Sequence, residues 1–308
     1  MKSSDLRTQR TLVVGVCQKR VIDVAISRGC PMRCSFCLSQ SEFYKKYRKM
    51  PLDMAKEHIS QVQKATNADF IWFRDDYLFQ DLAWMKDIAR HLKALNVAWA
   101  GNIRANDFQR MSEGYLNELK NYGCEMLLMG VESGNDEMLK TIRKGITVEM
   151  VKAAVTRCEK AGIRSAGTFI CGYPYETREQ MMDTARLILK LYQIQPTGEF
   201  SASVLRPYPG ADILQDCIKL GYELPQSNEE WAELDSTYTV YHSRKELRWI
   251  KDYDWFVRFF NYLQTILYFK RRGFDTSFFE KRLFMNTWDS SLIYHIKKLR
   301  HNISRVSS

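Results

Sequence analysis

The chain has no run of about 18 uninterrupted apolar residues, so no segment reads as a membrane-spanning helix. Residues 1–30 lack the ordered basic, apolar and small-residue blocks of a secretory leader. Histidine is scarce, with five copies at positions 58, 91, 242, 295 and 301. Eight cysteines, at 17, 30, 34, 37, 124, 158, 171 and 217, are too few and too unevenly spread for a disulfide-stapled secreted fold. Low-complexity segments and internal repeats are missing as well. These absences predict a cytoplasmic globular protein whose clustered cysteines bind a metal rather than cross-link the chain.

What is present is an ordinary apolar fraction, 45% of 308 residues, enough for one large core with an appendage. Charge is uneven. Residues 243–308 hold 14 Lys/Arg against 6 Asp/Glu and so carry +8 of the net +10. Such a tail suits an anionic substrate, an acidic electron-donor protein, lipid headgroups or RNA, and equally a plain solvated face.

From residue 21 to about 220, short β-branched or aromatic runs alternate with longer helical patterns, the mark of repeated βα units. Strands are predicted over residues 21–27, 69–73, 98–103, 125–131, 165–171 and 199–205. Helices are predicted over 52–65, 81–95, 108–122, 136–161 with a break near Gly145, 177–192 and 211–220. The unusual residues fall just after strand ends, the face on which barrels carry their chemistry. The expected fold is therefore α/β, a partial (β/α)6 TIM-like barrel with a helical C-terminal extension. Residues 1–20 are read as a lead-in, 21–225 as the barrel and 226–308 as a basic, aromatic helical cap.

Directly after the first predicted strand comes Arg28-Gly29-Cys30-Pro31-Met32-Arg33-Cys34-Ser35-Phe36-Cys37, three thiols at C-x3-C-x2-C spacing. Iron–sulfur clusters usually take four cysteines, so a compact trio holds three corners of a cubane and leaves one iron for an outside ligand. A zinc knuckle stays open as the alternative and needs a fourth ligand. No His or Cys follows Cys37 within 20 residues, and His58 lies in a predicted amphipathic helix.

Four further motifs follow in order. They are Phe73-Arg74-Asp75-Asp76, Gly130-Val131-Glu132-Ser133-Gly134, Gly172-Tyr173-Pro174-Tyr175-Glu176-Thr177 and Pro207-Tyr208-Pro209-Gly210. With the cysteine loop they closely resemble the radical S-adenosylmethionine (SAM) superfamily, in particular the core of B12-binding radical SAM proteins, from about residue 20 to 222. The resemblance implies a [4Fe–4S] cluster on Cys30, Cys34 and Cys37, with Phe36 at the aromatic position of the loop. It implies SAM on the open iron, cleaved reductively to a 5′-deoxyadenosyl radical. It also implies that Asp75 or Asp76 meets the SAM amino group, Glu132 the amino or ribose groups with Ser133 beside it, and Arg104 the methionine carboxylate. Gly167, in the adenine-lining segment, would let the flat ring approach backbone. Plainer readings stand beside these: a turn for Asp75–Asp76, a helix-start carboxylate for Glu132, a packing glycine for Gly167. Gly172–Thr177 reads as framing, with Glu176 and Thr177 starting the next helix. Arg206 and Tyr208 are candidates for substrate contact, and Cys171 for hydrogen-atom donation.

Departures from the family narrow the reaction. Cobalamin-binding relatives carry a D-x-H-x-x-G motif in a domain before the barrel. About 20 residues precede the first predicted strand here, and none of the five histidines lies in that motif. Cobalamin is thus not expected, and the rival reading is the core of a longer cobalamin-dependent methyltransferase. A non-catalytic iron–sulfur or zinc protein is the second rival.

Residues 254–272 read as an aromatic stripe followed by the three adjacent charges at 270–272. Packing on the chain's own barrel is the plain reading. A lid over an apolar substrate or a helix lying at a membrane surface also fits the pattern. Nucleic acid is disfavoured, because the aromatics alternate with apolar residues rather than with Lys/Arg. The expected partners are a flavodoxin or ferredoxin electron donor and a small-molecule substrate. Hydrogen abstraction from that substrate would lead to rearrangement, cyclisation, epimerisation or oxidation.

Overall fold

A computed structural model describes residues 10–14, 17–38, 45–236 and 247–287. The main sheet is built from β1 (Arg10–Val14), β2 (Cys17–Val24), β5 (Phe70–Phe73), β6 (Ala98–Ile103), β7 (Cys124–Glu132), β8 (Arg164–Cys171) and β9 (Glu199–Val204). These seven lie in that spatial order. β1 pairs antiparallel with β2, and every later neighbour is parallel, which gives six parallel strands. A second, two-stranded ribbon of β3 (Ser27–Arg28) and β4 (Arg48–Lys49) brackets the cysteine loop.

Helices return the chain between parallel strands: α1 (Leu52–Thr66), α2 (Leu82–Ala94), α3 (Glu113–Asn121), α4 (Asp136–Thr141), α5 (Val148–Lys160) and α6 (Arg178–Ile194). Past β9 come α7 (Ile213–Lys219), α8 (Asn228–Ser236), α9 (Tyr253–Lys270) and α10 (Ser277–Phe284). Side-chain caps fix several starts: Asp81, Ser112, Asn135, Thr147 and Thr177 each accept from a backbone N–H one turn into the helix that follows. Thr177 thus opens α6 as expected. The predicted break near Gly145 separates α4 from α5, with Gly145 at φ +69°.

Strand alternation divides the core. Val21, Phe70, Ala100, Met126 and Ala166 point into the half-barrel. Residues one step out of phase, such as Ile71, Trp99, Leu127 and Phe169, join the larger cluster beneath the helices. Helix packing therefore supports one face of every strand and leaves the other to line the interior.

The aromatic stripe resolves to packing. Trp255, Phe256, Phe259, Phe260, Leu263 and Ile266 of α9 are buried in the main core. Gln264 Nε2 donates to the Ala202 carbonyl at 2.5 Å and Arg271 Nη2 to the Phe200 carbonyl at 2.7 Å, so α9 covers the open edge of β9. Lys270 is held by Thr276 and Glu280, and Arg272 lies on the Tyr268 ring. Neither a lid nor an apolar face laid on a membrane describes this helix. Among the described residues no helix is long and apolar enough to cross a membrane. Residues 237–246 and 288–308 of the predicted cap lie outside the described ones.

Candidate functional site

The cysteine loop is pinned at both ends before any ligand is considered. Asp75 Oδ1, just past β5, accepts from the amides of Ile26 (3.1 Å) and Ser27 (2.5 Å) and from the Ser27 hydroxyl (2.5 Å). Its neighbour Asp76 accepts from the Gly29 amide at 2.7 Å, where Gly29 turns the chain at φ +88°. At the far end Ser35 N donates to the Ile142 carbonyl and Ser35 O accepts from Ile213 N, each at 3.0 Å. The loop is thereby stitched to two crossovers and to the segment that follows β9.

A cavity of about 590 Å³ opens beside this loop at the C-terminal ends of the strands. Cys30, Cys34 and Cys37 share its wall with Phe36, and all three thiols are free of disulfides. Asp75, Asp76, Arg104 and Glu132 line it too, with Tyr208 at its exposed rim. Four polar wall residues carry no motif that would have flagged them: Tyr77, Asn102, Lys144 and Thr168. Inward alternation is the only sequence signal for Asn102 and Thr168, which lie on the interior-facing phase of β6 and β8.

Behind the cavity is a buried ion pair. Lys144 Nζ donates to Glu132 Oε1 at 2.9 Å, and the Lys144 ammonium also lies 5.6 Å from the Phe36 ring centroid. Glu132 reaches this position from a left-handed backbone, φ 73°, beside an irregularity in the β7–β8 register. Gly130 leaves room for this pair, since a Cβ there would overlap Glu132 Oε1 and come within 2.9 Å of Lys144 Nζ, and both side chains would have to shift.

Arg104 is committed differently from expectation. Its Nη2 donates to the Lys144 carbonyl, its Nε to Asn106 Oδ1 at 3.2 Å, and its Nη1 to Cys34 Sγ at 3.8 Å. The guanidinium thus faces a thiol, and two of its three nitrogens are held by protein oxygens.

Burial pushes the Asp75 carboxyl up to about 6, against the hydrogen bonds from Ser27 and Ile26 that favour its charge. Its Oδ2 and the Asn102 Oδ1 are buried on the cavity wall without hydrogen-bond partners. Two orphaned acceptors beside three thiols fit a ligand that brings N–H donors, as SAM does through its ammonium and adenine. Burial also raises the Cys30 thiol, an effect that a bound metal cation reverses. Among the described residues no three His, Cys, Asp or Glu side chains are arranged to hold a single metal ion. Among the described residues no His, and no Cys beyond the three, stands on the cavity wall to close a zinc tetrahedron. A cubane, whose corners each take one thiolate, suits the donor set better.

Four expected residues lie elsewhere. The side Gly167 leaves bare faces the Phe200 ring, 2.8 Å from where a Cβ would sit, so it is a packing glycine on the helix-side phase of β8. Cys171 shares that phase and is fully buried in the helix-side core, which removes it as a hydrogen donor to the cavity. Ser133 accepts from Asn135 N at 3.2 Å and neighbours Thr184, serving the turn into α4. Arg206 is half-buried and stands apart from the cavity lining. Glu176 does not start a helix but folds back to accept from the amides of Gly172 and Tyr173.

Comparison with known proteins agrees with this geometry. Residues 24–188, more than half of the chain, match the Radical SAM superfamily. An uncharacterised methyltransferase of Pyrococcus horikoshii is 29% identical over 72% of this chain and 48% of its own length. The bacteriochlorophyllide d C-12(1)-methyltransferase of Chlorobaculum tepidum is 26% identical over 73% and 48%. An anaerobic magnesium-protoporphyrin IX monomethyl ester cyclase of Rubrivivax gelatinosus is 26% identical over 64% and 35%. The chain spans about half the length of the methyltransferases it matches. Among solved structures, the radical SAM methyltransferase TsrM of Kitasatospora setae superposes with a TM-score of 0.55 at 17% identity, over 66% of this chain and 38% of that one. The cobalamin-dependent radical SAM enzyme OxsB gives 0.57 at 15% identity, over 92% and 55%. These structural likenesses establish the shared fold. The chain belongs to the radical SAM superfamily, whose enzymes bind SAM and a [4Fe–4S] cluster.

Proposed function

We propose that the chain cleaves SAM reductively at a cluster held by Cys30, Cys34 and Cys37 and directs the product radical at a C–H bond of a substrate admitted past Tyr208. The convergence of the three thiols, Asp75, Asp76 and Glu132 on one cavity carries this reading. A cluster bound there would supply one-electron reduction of the SAM sulfonium, giving methionine and a 5′-deoxyadenosyl radical, with a flavodoxin or ferredoxin as the electron source. The chain's own residues bind and orient. Asp76 and the orphaned Asp75 Oδ2 offer acceptors to an ammonium. Lys144 holds the Glu132 side chain at a fixed place on the wall, and Asn102 and Thr168 offer polar contacts deeper in the cavity. Apolar Phe36, Leu128 and Ile103 keep water from the same space.

A second reading is the catalytic core of a methyltransferase, favoured by the names of the relatives and by the half of their length that the chain spans. One experiment separates the two. The protein is reconstituted anaerobically with iron and sulfide, reduced with dithionite in the presence of SAM, and its products are resolved by chromatography. Formation of 5′-deoxyadenosine by the wild type and not by Cys34→Ala supports the first reading. S-adenosylhomocysteine that appears only when hydroxocobalamin is added favours the second. Zinc uptake without SAM cleavage overturns both.

A further inference from the structure

We infer that Arg104 is a positioning residue for the cluster, holding the Cys34 sulfur by a charged N–H···S contact, rather than a partner of the SAM carboxylate. The inference rests on the reading of Cys34 as a cluster ligand. Three observations carry it. Nη1 of Arg104 is 3.8 Å from Cys34 Sγ, and both residues are buried, at 9% and 4% exposure. The other two nitrogens are fixed by the Lys144 carbonyl and Asn106 Oδ1, so the fork cannot turn toward the cavity without losing two bonds. The backbone is anchored independently, since Arg104 N donates to Asp107 Oδ2 at 3.1 Å whatever side chain it carries.

The chemistry follows from charge. One-electron reduction adds negative charge to a cluster and its thiolates, and a hydrogen-bond donor with a full positive charge at one sulfur stabilises the reduced form. Arg104 therefore raises the reduction potential of the cluster and makes it easier for a biological donor to reduce. It also links the cysteine loop to the segment that carries Lys144, so the sulfur and the Glu132 ion pair share one anchor.

The test uses the reconstituted 308-residue chain without substrate. Midpoint potentials are measured by redox titration of the reduced-cluster paramagnetic signal in wild type, Arg104→Met and Arg104→Lys, alongside SAM affinity by equilibrium dialysis. Arg104→Met is expected to shift the midpoint to a more negative value, with SAM affinity little changed. Arg104→Lys keeps the charge but cannot reach both Lys144 O and Cys34, so it is expected to give a smaller shift in the same direction. If the methionine variant takes up no iron, the lysine variant alone decides. A midpoint unchanged in a fully loaded variant overturns the inference. So does an unchanged midpoint with weakened SAM binding, which would return Arg104 to the carboxylate. A wild type that takes up no [4Fe–4S] cluster fails the underlying reading instead.

Discussion

Lys144 Nζ lies 2.9 Å from Glu132 Oε1, with both side chains 8% exposed, and this pair connects β7 to the segment between α4 and α5. A buried pair stabilises less than its attraction implies, because both charges are desolvated; breaking it is nonetheless costly. Lys144→Met leaves the Glu132 carboxylate buried and alone, and should cost about 3–5 kcal/mol. The double variant Lys144→Met/Glu132→Gln should recover much of that. Urea denaturation of the two proteins checks it, and equal losses in both would contradict the pairing argument.

Gly167→Ala is expected to lower stability by about 1–3 kcal/mol, because its Cβ meets the Phe200 ring. SAM affinity should not change, since Gly167 lies on the helix-side phase of β8. A loss of SAM binding at unchanged stability would restore the adenine-contact role that the resemblance implies.

Glu176 is held neutral by burial, its carboxyl pushed up to about 8, against the Gly172 and Tyr173 amides that favour its charge. Its folded pKa lies above the ordinary 4.5, so ionisation is easier in the unfolded chain. The stability this group contributes is present below about pH 4.5 and is lost as pH rises through 8. Glu176→Gln removes the titration. Denaturation midpoints of wild type relative to the variant should fall across that window, and parallel pH profiles would refute the assignment.

Phe259 of α9 is fully buried and stacks on Trp255 with ring centroids 5.0 Å apart. Phe259→Ala should cost about 3–5 kcal/mol, the usual loss for a large side chain removed from a core. A helix with its aromatic face laid on a membrane would show almost no loss in the absence of lipid. Thermal unfolding without vesicles distinguishes the two.

Much of the fold was legible because its signals are local. The six parallel strands lie within a few residues of their predicted spans, and Ala98–Ile103 coincides with its own. Hydrophobic period, caps and left-handed turn residues each act over a few positions, so a linear reading finds them. The antiparallel strand Arg10–Val14 was missed, since pairing along a sheet edge is a long-range choice.

The half-barrel class, the place of the cysteine loop after a strand and the three candidate cluster thiols can all be read along the chain. Thiol spacing and strand-end position are properties of the chain alone. Which neighbouring residues share the cavity depends on how the strands pack. That packing put Thr168 and Asn102 on the wall and turned Gly167 and Cys171 toward the helices, because one step along a strand reverses the face. It also set Arg104 against Cys34, 70 positions away. A guanidinium takes whichever acceptors the fold brings within reach, and no motif records that distance.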